Sequence, residues 1–518
     1  MRPIQAAIFA GVLTTVSVAV VPARAQVPCT DGLAAGFPCD GVDLLSQVGL
    51  AELGSVFVND IWGWTDPLTL RDYALLGSSE GMTVVDISDP TMPVIVGQVP
   101  THTTAGGDFW RDIKVYADHA FIVSENSGHG MQIFDLTEVR GAAVPPVVFS
   151  ATARYDGVGN AHNLAINEDT GYAYILGSGT CSGGLHMVDI SDPVNPIGAG
   201  CFADHGYVHN SQCVVYEGPD DVYLGKEICF NAVPDGADAI SIVDVTDKSN
   251  VVSLALLTYP VAGYSDQGWL TPDQRYFLHN DELDEVVQGI NTTTRIFDVR
   301  DLDAPTLVAA VAHDTTSIGK QIFTEGRYAY ASHYTSGFRV FDITGVAAGE
   351  LPEVGYFDVY PLNDNPTFEG GAWSNYPYFH QKGIIAVSSI DQGLFVLRFP
   401  EASWVFGGFL SPVDGQAINS VKAGQIVALK WRLTDEGGAP VIDLMTVSVT
   451  VTSFDCALGT TDDQVEEVSS GESGLQNLGD GYYQFNWKTP KSYAGSCKTL
   501  HLDLGDGSDN TADFQFRR

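Results

Sequence analysis

Two histidines and three aspartates recur at one place in successive repeats of this sequence: Asp60, Asp112, His162, His209 and Asp266. Each stands at or just before the start of a short apolar strand, with polar company at Asn59, Arg111, Asn163, Gln212, Gln267 and Lys320. If those strands line one axis, the side chains converge at a channel mouth. Imidazole with carboxylate suits zinc, manganese or iron, whereas carboxylate with amide oxygen suits calcium. A divalent cation is therefore the cofactor such a ring would take, and a metal-assisted hydrolase or lyase the enzyme it would make. Arg111 and Lys320 bring positive charge into the same ring and oppose a cation. No H-x-H, H-E-x-x-H or EF-hand spacing occurs. Polar groups at such a mouth also hydrogen-bond to neighbouring strands and ordered water, and this structural reading outweighs the catalytic one.

Other chemistry finds less support. Ser124, Glu125 and His129 surround a hairpin but lack the G-x-S-x-G elbow of a serine hydrolase. The carboxylate run Asp281-Glu-Leu-Asp-Glu285 reads as a solvated loop, with calcium binding as the alternative. Trp62, Trp64, Trp110, Trp269 and Trp373 read as core between sheets before they read as a sugar platform. Asn291-Thr-Thr293 fits a glycosylation sequon.

The elements that would position the ring are legible. Seven strands end on a common phrase: Met82–Asp86, Met131–Asp135, Leu185–Asp189, Ile240–Asp244, Thr294–Asp298, Phe338–Asp342 and Leu394–Arg398. Successive terminal residues lie 49, 54, 55, 54, 44 and 56 positions apart. A period near fifty built from short strands indicates blades around an axis. The second repeat, for example, reads as Ile113–Tyr116, Ala120–Ser124, Met131–Leu136 and Val147–Ala151. The expectation is an all-β chain with a seven-bladed β-propeller over residues 42–399, the last blade completed by Val42–Val48. Residues 400–415 read as a linker with an entry strand, and 416–518 as a small Ig-like β-sandwich.

Residues 1–25 carry an early arginine, an apolar stretch and Ala23-Arg-Ala25, the pattern of an export signal. Residues 26–41 would then form an N-terminal arm. Eight cysteines fall into four sequence-close pairs, as suits an oxidising compartment. The expected disulfides join Cys29 with Cys39, Cys181 with Cys201, Cys213 with Cys229 and Cys456 with Cys497. A formal charge of −39 opposes nucleic acid and anionic lipid. No later stretch is long and apolar enough to span a bilayer. An extracellular protein or glycan is the partner class left.

The signature strands resemble the LVIVD repeat. Trp110–Tyr116, Ser124–Met131, Gly159–Asn163, Thr180–Asp189 and Asp281–Glu285, with Cys29–Leu45 and Gly355–Asp358, resemble the choice-of-anchor B family. That resemblance implies an exported propeller with an exchangeable C-terminal attachment module and no established catalysis. Val421–Gly424, Tyr482–Lys488, Lys491–Cys497 and Ala512–Phe516 resemble the PxKF-type domain, whose naming tetrapeptide stands here as Ala428-Leu-Lys-Trp431.

Overall fold

The repeated aspartate has a physical task in the computed structural model. In six repeats its carboxylate accepts the backbone N–H two residues on: Asp86 from Ser88, Asp135 from Thr137, Asp189 from Ser191, Asp244 from Thr246, Asp298 from Arg300 and Asp342 from Thr344, all at 2.9–3.0 Å. This side-chain turn ends the third strand of each sheet and reverses the chain. The structure describes residues 26–517 except 107–109, 143–144, 235, 237, 400–403, 436–437, 442–443, 445–446, 457–459, 469–474, 505–507 and 509. The expected export signal therefore lies outside the described residues.

Among the described residues, seven sheets follow one another between Leu33 and Arg398, antiparallel except for Val147–Val148 at the edge of the first. Their inner strands are Val58–Thr65, Arg111–Tyr116, Asn163–Asn167, Asn210–Val215, Ser265–Leu270, Ile322–Glu325 and Ala372–Tyr376. The inner strands of the first five sheets each pack on the inner strand of the next, and Ala372–Tyr376 packs on Tyr328–His333 of the sixth sheet and back on Val58–Thr65. This is a β-propeller repeat fold. Stacking buries both faces of the strands, so Asp72–Ser78, Tyr276–Asp281 and Ile384–Ser389 are buried throughout. A register shift recurs opposite the signature strand in the first, third, fourth, fifth and sixth sheets, between Val84 and Val85 in the first. Such bulges increase twist in the outer strands.

The ends of the repeat region are interlaced. Asp43–Val48 pairs antiparallel with Gly393–Arg398 and forms the outer strand of the last sheet. Phe37–Asp40 extends the sixth sheet by pairing with Glu353–Phe357. In the second repeat the outer strand is Ala153–Tyr155, on Met131–Asp135. Val147–Val148, expected in that place, instead pairs parallel with Val94–Pro100 of the preceding sheet. Phe149 seats against Phe134 at 5.0 Å, which draws this segment between the two sheets.

Beyond Phe399, two sheets enclose a separate core of Trp431, Tyr483, Phe485 and Trp487 against Val449, Leu500, Leu502, Phe514 and Phe516. The first strand, Trp404–Leu410, falls within the stretch read as a linker and pairs with Ile426–Asp435.

All four expected disulfides are formed. Cys29 is bonded to Cys39, which ties the N-terminal arm to the strand that extends the sixth sheet. Cys181 is bonded to Cys201, and Cys213 to Cys229 directly opposite it on the neighbouring strand. Cys456 is bonded to Cys497 in the C-terminal sheets. These bonds fit an extracellular protein. Among the described residues no helix is long and apolar enough to cross a membrane.

Candidate functional site: the axial channel

The ring residues join one sheet to the next. Asp60 accepts Ile113 N at 3.4 Å, Asp112 accepts Leu164 N at 2.6 Å, and Asn163 donates to His209 O at 2.7 Å. Gln212 accepts Leu270 N at 2.8 Å. Gln267 accepts Ile322 N at 2.8 Å and donates to Ile322 O at 3.0 Å. Gln321 then accepts the Ser374 hydroxyl at 2.8 Å. Each side chain satisfies a polar group of the following sheet that would otherwise be buried without a partner.

Charge is neutralised within the channel at two centres. Lys114 lies against Asp112 and 3.4 Å from Asp60, with its ammonium 4.5 Å from the centre of the Trp62 ring. Burial works against this ammonium, but Asp112 and Asp60 outweigh it and raise its pKa. The two carboxyls diverge. Burial, with Asp60 adding to it, drives Asp112 well up. Burial of Asp60 is overcome by Lys114, and its pKa falls.

At the second centre Lys320 Nζ donates to Asp266 at 2.9 Å and to Glu282 at 2.8 Å, over the Trp373 ring at 4.9 Å. Burial pushes the Asp266 carboxyl up to about 7, against the pull of Lys320. His209 Nδ1 lies 2.9 Å from Asp266 O and 3.0 Å from Asp266 Oδ1. Burial, then His162 and Lys320, hold His209 well below the ordinary imidazole range. His162 turns to Glu125, Nδ1 to Oε1 at 2.5 Å, with its ring centre 4.3 Å from that of His209. Arg111 stands apart, donating to Ser78 O and Ser79 O, with His129 at 3.3 Å.

The five metal-ligand candidates are thus divided. Asp60 and Asp112 surround Lys114, Asp266 and His209 adjoin Lys320, and His162 pairs with Glu125. Among the described residues, His209, Asp266 and Glu282 form a metal-capable triad here, with ligand atoms within 4.8 Å of one another. Lys320 already bridges its two carboxylates. Sequence reading passed over Lys114 and placed Glu125 with Ser124 and His129, and Glu282 in the carboxylate run, not beside the ring. Lys114 was accessible to it, because residues two apart on a strand share a face and Asp112 was already placed there.

The run Asp281–Glu285 is not a solvated loop: Asp281, Asp284 and Glu285 are buried. Arg295 donates to Asp284 at 2.9 Å, and Tyr259 donates to Asp281 at 2.6 Å. Burial, then Asp284, push Glu285 up to about 10. Opposite charge from the neighbouring strand draws the run inward, and a short helix at Asp284–Gln288 caps it.

Further along the inner strands a cavity of about 430 Å³ is lined by Trp62, Gln212, Trp269, Tyr376 and Tyr378, with Glu168 and Glu325 at its edge. Two of the expected core tryptophans thus face a space able to hold a ligand.

Buried histidines predict an acid response. Burial lowers His129 to about 4, with Arg111 adding to the effect, and lowers His313 to about 4, with Arg339 adding to it. Below pH 6.5 the unfolded chain takes protons that the folded one refuses, so this stability is present above the unfolded pKa and lost as pH falls toward 4. Asp266 and Glu285, with raised pKa, act in the opposite sense, so the informative quantity is a difference. The stability gap between wild type and His129→Gln narrows by up to about 3 kcal/mol from pH 6.5 to 4, measured as urea midpoints. A gap independent of pH refutes the assignment.

The LVIVD repeat model matches residues 71–101 and 158–204. No curated protein matches the chain in sequence. Among solved structures, a functionally unknown protein from Desulfotomaculum acetoxidans is 14% identical, with 61% of this chain and 88% of that one covered at a TM-score of 0.41. A Lactobacillus plantarum protein is 12% identical, covering 80% and 99% at 0.43. A chain of the mitotic checkpoint complex is 11% identical, covering 76% and 100% at 0.44. Similarity at this level identifies no ligand or activity. The repeat match and the sheets support two LVIVD-type repeats, at 71–101 and 158–204, within a β-propeller repeat fold.

Proposed function

We propose that the chain is an exported, non-enzymatic binding protein: a seven-bladed propeller of the choice-of-anchor B type that presents its channel ends and loops to an extracellular protein or glycan. The C-terminal pair of sheets is an Ig-like, PxKF-related module serving as spacer or attachment. One observation carries the reading. Most of the polar residues best suited to chemistry are engaged with one another, as clamps between sheets and as carboxyl groups held beside Lys114 and Lys320, with Asp266 Oδ2 left without a hydrogen bond among the described residues. A catalytic ring would leave a base, nucleophile or metal position directed at substrate. The acidic surface argues against nucleic acid as partner.

The rival, metal-assisted hydrolysis or elimination at the channel mouth, requires a cation where Lys320 now bridges two carboxylates. Metal analysis of the purified full chain separates the two readings. The expected result is no stoichiometric metal, and no melting shift on adding calcium, manganese or zinc. Stoichiometric metal that is lost in His209→Ala overturns the proposal.

A further inference from the structure

We propose that the aromatic cavity along the inner strands binds a small quaternary ammonium compound. This deepens the binding role above and rests on it. The walls are Trp62, Trp269, Tyr376 and Tyr378 around about 430 Å³, within the range of small-ligand sites. Their planes stand across one another: 64° between Trp62 and Tyr376, and 82° between Tyr376 and Tyr378. Phe323 meets Trp62 at 75° and Trp269 at 72°. These rings pack edge to face at 5.0–5.9 Å, so the cavity wall mixes ring faces and edges and is not the flat platform on which a sugar stacks. A rounded cation rests on the ring faces such a wall leaves open. Lys114 already occupies one face of Trp62, at 4.5 Å, so a further cation falls to Trp269, Tyr376 and Tyr378.

Charge points in the same direction. Glu168, an exposed carboxylate at the cavity wall beside Asp169, has no ion-pair partner among the described residues. Burial raises Glu325, although Lys382 lies beside it. Burial, followed by the fields of Glu168 and Glu325, raises the Tyr376 hydroxyl, so the cavity wall is electronegative. A bound cation supplies the countercharge, and a net charge of −39 draws cations toward the surface. A primary ammonium loses strong hydration among aromatic walls, whereas a quaternary one has no N–H to leave unpaired.

The test titrates the full chain with choline, tetramethylammonium, glycine betaine and N-acetylglucosamine at constant ionic strength, following tryptophan fluorescence and heat. Saturable binding of choline and tetramethylammonium is expected. Betaine binds more weakly, because its carboxylate meets Glu168 and Glu325. Trp269→Ala weakens choline by about tenfold, and Glu168→Gln, at the exposed edge, by about threefold. Melting profiles establish that both variants are folded. Saturable binding of N-acetylglucosamine without choline overturns the cation assignment but leaves a binding propeller standing. No saturable response to any of the four overturns the site itself. Stoichiometric metal lost in His209→Ala would instead defeat the underlying reading.

Discussion

Lys320→Met loses about 3–5 kcal/mol of stability at pH 7, and much of the loss is recovered as the pH is lowered. The reason is the company the ammonium keeps. Asp266 is fully buried and Glu282 lies at the channel mouth, and both are bonded to Lys320 Nζ. Removing the cation leaves two carboxylates facing each other beside His209. Burial already places the Asp266 pKa at about 7 with Lys320 present. Without it, the folded state takes up protons that the unfolded state, titrating near pH 4, does not bind. Stability of the variant therefore falls as pH rises through that interval and returns as pH drops toward 4.

The same substitution tests what the aspartates and histidines can do without the lysine. His209, Asp266 and Glu282 keep their ligand atoms within 4.8 Å. Manganese or zinc should then raise the melting temperature of Lys320→Met and leave wild type unchanged. Adding Asp266→Asn and Glu282→Gln should restore much of the stability and abolish both the pH dependence and the metal response, so comparing this pair of changes with and without Lys320→Met isolates the coupling. A loss below about 1 kcal/mol, flat with pH, would show that the ammonium does not neutralise these carboxylates.

The repeat was legible because one local device, an aspartate capping the turn after an apolar strand, recurs at nearly constant spacing. The ring positions were legible for the same reason, since each opens an inner strand. The disulfides were legible too, because Cys39, Cys201 and Cys229 each follow a first cysteine within a few turns of chain and bond to it. The partners of the ring residues were not. Whether Asp266 meets a metal or a lysine depends on Lys320, fifty-four residues away in the next repeat, and on Glu282 from another strand. Asp281–Glu285 was misread because composition cannot show that Arg295 stands beneath it. Trp62 and Trp269 illustrate the converse. Their burial was expected, but the space between them exists only because Tyr376 and Tyr378 arrive from the last sheet. Val147–Val148 joined the wrong sheet in the sequence reading because two short β-prone segments compete for one outer position.

Deleting residues 26–48 should remove cooperative folding. Asp43–Val48 is hydrogen-bonded along Gly393–Arg398, and a register shift between Leu44 and Ser46 lets it serve two interfaces. Val42 and Leu44 pack with Phe357, Phe395 and Phe399, whereas Leu45 and Val48 pack with Leu53 of the short helix Leu50–Leu53 and with Ile61 and Val85 of the first sheet. Four buried side chains at roughly 1.5–3 kcal/mol each amount to about 6–12 kcal/mol, comparable with the whole stability of an ordinary domain. The deletion also bares the edge of Gly393–Arg398, an open template for aggregation. Leu44→Ala is the milder probe. It opens a cavity worth about 2–5 kcal/mol and should lower the urea midpoint without changing the slope, since the same surface is exposed on unfolding. If the deletion melts where wild type does, the N-terminal strand is an ornament on a ring that closes without it, and the inner strands are held in place by side-chain clamps alone.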